Sequence, residues 1–103
     1  MRNTDSDALS LDILAHETIL TIHDKLSLRD VSALKAVCAR IPEETSVCIR
    51  LDLEHLDSFT IGMLLKIREL TGSRGQEITL DPSQDKHREA LIPTGINQLF
   101  TIL

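Results

Sequence analysis

The run "VCIRLDL", Val47 to Leu53, passes at once into "EHLDSFTIGMLLKIREL", Glu54 to Leu70, and this junction constrains the fold more than any other part of the chain. Val47, Ile49, Leu51 and Leu53 alternate strictly with Cys48, Arg50 and Asp52, which is the period-two pattern of a strand with one buried face. The period then changes. From Ser58 to about Thr71, Ile61, Leu64, Leu65 and Leu70 recur at helical spacing and call for burial, and Gly72 and Gly75 supply turn residues beyond the helix end. "EITL", Glu77 to Leu80, is then a short strand. Alternation of this kind implies a parallel or mixed sheet with helices packed on it.

The rest of the chain fits that frame. Residues 1–8 are polar and are expected as a flexible N-terminal arm, leaving 9–103 as a single domain. Leu9, Leu11, Ile13 and Ala15 lie at alternate positions, and the β-branched "TILTIH", Thr18 to His23, follows across a His16-Glu17 turn, so a hairpin is expected. From Leu28 to Ile41, a stripe of Leu28, Val31, Leu34, Ala36, Val37, Cys38 and Ile41 predicts a helix ended by Pro42, with Asp30 and Ser32 suited to its start. Asp81-Pro82 opens a third helix that closes at Pro93-Thr94-Gly95, and "INQLFTIL" gives a short helix and a strand-like tail. The expected architecture is α/β: a mixed sheet with an N-terminal hairpin and helices packed on it.

Composition narrows the function classes. With 103 residues there is room for one modest core, and two Phe without Tyr or Trp make that core aliphatic. The same scarcity removes the stacking platforms of single-strand binding, and a net charge of -5 with scattered basic residues gives no nucleic acid footprint. No run approaches the roughly 20 apolar residues of a membrane span, and "MRNTDSDALS" lacks the apolar centre of a signal peptide, so a cytoplasmic protein without membrane insertion is expected. Cys38 and Cys48 read as reduced, buried thiols on the inner faces of the first helix and the central strand.

In such sheets, sites gather where strand ends meet helix starts, and the Asp57-Ser58 junction is such a place. Ser58 has two readings there: a helix N-cap, or a rim hydroxyl whose phosphate would meet free backbone N–H groups. Asp52, Glu54 and Asp57 form an acidic cluster before it, or ordinary solvated loop charge. His16, His23, His55 and His87 show no metal-ligand spacing. A triad of Ser58, His55 and Asp57 would have to form within one tight loop, and no G-x-S-x-G elbow or phosphate-binding glycine pattern is present. No enzyme, cofactor or metal is expected.

With these residues in place, "LDLEHLDSFTIGMLLKIREL" resembles the signature of STAS domains of the anti-sigma factor antagonist family, where a strand ends in Asp-Ser before a small or hydroxyl residue, Gly and an aliphatic helix. "ALIPTGINQLFTI" resembles the family's last helix and Thr-Gly-aliphatic turn. The resemblance implies a partner-switching protein, itself no enzyme, existing as a monomer or weak dimer. Its Ser58 would be phosphorylated by a serine-kinase anti-sigma factor and dephosphorylated by a serine phosphatase, with Asp57 the neighbouring acid. The unphosphorylated form would bind the kinase and free the sigma factor. Phe59 and Thr60 depart from the family pattern, as do Asp24 and Ser27 in "DKLS", so the implied partner surface comprises Asp24, Ser27, Asp57, Ser58, Phe59 and Thr60. Thr60 is a second candidate phosphosite. Phe59 is either a partner anchor or an added piece of core. The resemblance also allows a docking subunit without phosphorylation, seated on a stress-signalling scaffold or a transporter ATPase.

Overall fold

The computed structural model describes the backbone of residues 2–6, 8–72 and 77–103, and the side chains of 8–71 and 77–103. Strands β1 (Arg2–Ser6), β2 (Leu9–Ile13), β3 (Glu17–Ile22), β4 (Ser46–Leu51), β5 (Ile78–Asp81) and β6 (Thr101–Ile102) form one sheet in the order β1-β2-β3-β4-β5-β6. The first three are antiparallel neighbours, and β3 to β6 are parallel. The main helices are α1 (Val31–Ala39), α2 (Ser58–Gly72) and α3 (Asp85–Leu91), with one-turn 3-10 segments at Leu28–Asp30, Ile92–Thr94 and Ile96–Gln98.

Each parallel strand is laid beside its predecessor in the same direction. Right-handed crossovers then put every connecting helix on one face of the sheet. Burial follows this rule: Leu9, Leu11, Leu20, Ile22, Val47, Ile49, Leu51 and Leu80 join Leu34 and Val37 of α1, Leu64 and Ile67 of α2, and Leu91 of α3 in one aliphatic core. The other face carries Ile19, Cys48, Thr79 and Thr101 in a row across four strands, with Thr21, Arg50 and Asp81 in the next row.

Several expectations need correction. Residues Arg2–Ser6, read as a flexible arm, add an antiparallel strand to β2. Cys48 is buried, yet it lies on the face opposite Val47 and Ile49 and outside the aliphatic core. Cys38 does join that core, and the two thiols are unbonded. Leu28 is 79% exposed and Leu65 is 45% exposed, while Ile67 takes the buried position on α2. The third helix begins at Asp85 and not at Asp81-Pro82, because β5 runs through Asp81 and Ser83 adopts a positive φ of 67°, with its N–H donating to Asp81 Oδ1 at 3.0 Å.

Candidate functional site

The strand-to-helix junction lies at the C-terminal end of β4. Leu53, just beyond the strand, is buried, and its carbonyl accepts hydrogen bonds from His87 Nε2 at 2.7 Å and Gln84 Nε2 at 3.3 Å. The buried His87 therefore ties α3 to the loop that leads into α2, a role its position in the sequence did not signal.

Asp57, not Ser58, caps α2. Asp57 Oδ1 accepts the Thr60 N–H at 2.9 Å, and its carbonyl accepts the Ile61 N–H at 3.1 Å. The Thr60 hydroxyl and N–H, in that order of strength, hold the Asp57 carboxyl below the usual carboxylate value. The capping role offered for Ser58 is thus filled by its neighbour. Ser58 is the first helical residue, exposed, and no described residue hydrogen-bonds to its hydroxyl. It stands where backbone N–H groups are unpaired and the helix end is positive.

The two neighbours of Ser58 in sequence, Asp57 and Phe59, form one wall of an open groove of about 1000 Å³ whose other wall is Asp24, Lys25, Leu28 and Arg29; Ser58 itself does not line it. Ser27 also lines it, but its N–H and hydroxyl both donate to Asp30 Oδ2, at 2.8 and 3.1 Å, so this serine shapes the loop. Asp24 is exposed, and its Oδ1 accepts the Lys25 N–H at 2.8 Å. Phe59 is 38% exposed, is not among the apolar side chains packed on the core, and lines the groove. Thr60 is fully buried, and its Oγ1 accepts the Leu26 N–H at 2.9 Å. Phosphorylation there would have to pull a satisfied hydroxyl out of the interior, so Thr60 is not a workable second phosphosite.

The acidic cluster is dispersed in space. Asp52 Oδ2 is 3.5 Å from His23 Nδ1, Glu54 Oε1 is 3.9 Å from His55 Nε2, and only Asp57 faces the groove. The structure contains a Ser–His–Asp chain that the sequence reading missed, Ser10–His23–Asp52, with Ser10 Oγ 2.6 Å from His23 Nε2. Ser10 is only 1% exposed, so a substrate carbonyl has no approach to its oxygen, and the chain serves to join the ends of β2, β3 and β4. Among the described residues, no three His, Cys, Asp or Glu side chains are placed to hold a metal ion, and no helix is long and apolar enough to cross a membrane. No family model matches the chain, and no curated protein matches it.

Proposed function

We propose that the protein is a phospho-regulated partner switch of the anti-sigma factor antagonist kind, with Ser58 as its phosphoacceptor. One observation carries the reading: Ser58 is exposed at the start of α2 and, among the described residues, nothing hydrogen-bonds to its hydroxyl, while Asp57 does the capping, so the described fold makes no local demand on the serine hydroxyl. A phosphate there brings about -1.5 to -2 charges. It would stand next to Asp57, at a groove that also holds Asp24 and Asp30. The helix end tolerates an anion, so the modified domain stays folded while its groove becomes strongly acidic. The unmodified groove, with Leu28 and Phe59 exposed and Lys25 and Arg29 interspersed, suits a protein partner, taken here to be a serine-kinase anti-sigma factor. A serine phosphatase would restore that state.

Phosphopeptide mapping tests this, using protein isolated from its own cells and protein incubated with the cognate serine kinase and labelled ATP. Label is expected on Ser58, and Ser58→Ala should retain the partner while accepting no label. Label elsewhere, with full labelling of Ser58→Ala, refutes the reading. A docking subunit that uses the same exposed Leu28 and Phe59 without phosphorylation would bind its partner and take no label at all.

A further inference from the structure

The two walls of the groove are joined through Thr60. Among the described residues, the bond from the Leu26 N–H to Thr60 Oγ1 is the one hydrogen bond between segment 24–30 and the first turn of α2. Leu26 is itself buried in the aliphatic core, and this bond ties its backbone to the first turn of α2 in the midst of the exposed Asp24, Lys25, Leu28 and Arg29. On its other side, Thr60 is engaged with Asp57 through the N–H donated at 2.9 Å. A single buried threonine thus meets both the residue before Ser58 and the backbone of the opposite wall.

We infer that Thr60 is the positioning residue through which the charge state of Ser58 sets the opposite wall of the groove, so that the switch changes the shape of the partner surface as well as its charge. This rests on the reading of Ser58 as the phosphoacceptor. A phosphate at the first helical position seeks the same N–H groups that Asp57 now uses, and it repels the Asp57 carboxylate. The cap is then shared or exchanged. Thr60 sits between the displaced carboxylate and Leu26, and its hydroxyl can accept the Leu26 N–H well only while the first turn keeps its present geometry. Loosening of that turn therefore releases the Leu26 amide and the segment that it anchors. Thr60→Ser preserves the hydroxyl and Thr60→Val removes it at nearly equal volume, so the pair separates the hydrogen bond from packing.

Amide hydrogen exchange at Leu26, measured by NMR on the free full-length protein with serine or co-translationally incorporated phosphoserine at position 58, tests the inference. In the wild-type background phosphoserine is expected to speed Leu26 exchange by about tenfold, the size of one net hydrogen bond. The Thr60→Ser background should show the same response. In the Thr60→Val background exchange should already be fast and should not respond further. Equal Leu26 exchange with serine and phosphoserine in the wild type overturns the inference, as does a full response in Thr60→Val. Because the phosphate is built in, no kinase is needed. A negative result here is therefore distinct from failure of Ser58 to be labelled in cells, which would remove the partner-switch reading and leave the measured coupling standing.

Discussion

The chain has two phenylalanines, and truncating each should have a different kind of consequence. Phe59 is 38% exposed on the groove wall, and Phe100 is 4% exposed in the aliphatic core. A Phe side chain buries roughly 150 to 250 Å² when fully covered. At the observed exposure, Phe59 therefore covers roughly 100 Å² that Phe59→Ala would lose, worth about 2.5 kcal/mol at roughly 25 cal/mol per Å² as an upper bound. A realistic, partly collapsed unfolded chain lowers that by roughly 10–40%, to about 1.5 to 2.3 kcal/mol. No cavity contribution is added, since water fills the open groove where the ring stood. Phe100→Ala loses the whole ring from a closed core and should cost about 3 to 5 kcal/mol. Urea titration of both variants gives the comparison directly. A gap of about 2 kcal/mol at an unchanged m-value is expected, together with weaker partner binding in Phe59→Ala alone. Equal losses of stability would show that Phe59 is a core residue and would refute its assignment to the groove.

Asp57 supplies a pH signature. Its folded pKa lies below the usual carboxylate value, so the stability it contributes is present above the unfolded value of about 3.9 and is lost as pH falls through the folded value. Asp57→Ala should cost about 1 kcal/mol in thermal or urea unfolding at neutral pH, and the difference from wild type should narrow steadily below about pH 4. Gly62 and Gly95 should respond with opposite signs. A Cβ at Gly62 would meet nothing within 4 Å in the middle of α2, so Gly62→Ala should stabilise by about 0.5 to 1 kcal/mol, whereas Gly95→Ala, at φ 77°, should destabilise by about 1 to 2 kcal/mol. Burial raises the Cys48 thiol above its ordinary value, and Cys38 is buried in the core, so neither should react quickly with a bulky thiol reagent in the native state; rapid labelling of both would contradict their placement.

What the sequence made legible follows the range of the interactions. β4 and α2 could be read because a single periodicity governs each, and Val47, Ile49, Leu51 and Leu64 are buried as such patterns require, although on α2 the exposed Leu65 was expected inside and the buried Ile67 was not named. The strand at Arg2–Ser6 could not, because "RNTDS" carries no apolar alternation and its place depends on backbone pairing with β2. The junction was found, but the division of labour within it was not. Asp and Ser are both good caps, and which one points at the Thr60 N–H is a matter of one residue of register. Thr60 reads in the sequence as a second candidate phosphosite, whereas it is buried and its hydroxyl accepts a hydrogen bond from Leu26, 34 positions earlier, a contact without local signal. Cys48 was assigned to the wrong face, although its own alternation with Val47 and Ile49 already opposed that placement. The Ser10–His23–Asp52 chain spans three strands and has no local signal at all.

The unbroken strand order has a consequence for how the chain reaches this structure. Every strand pairs with the strand before it in the sequence, so the sheet grows from one edge to the other as the polypeptide lengthens. No strand must wait for a partner that comes later, and the β2–β3 hairpin provides the first template by a short loop closure. During synthesis, each newly emerged strand–helix unit meets a finished edge on which to add, and α2 can begin to dock on α1 once β4 has joined β3. The groove beside Ser58 is built from α2, the loop after β3 and the turn before α1, and so it is assembled before β5, α3 and β6 are added.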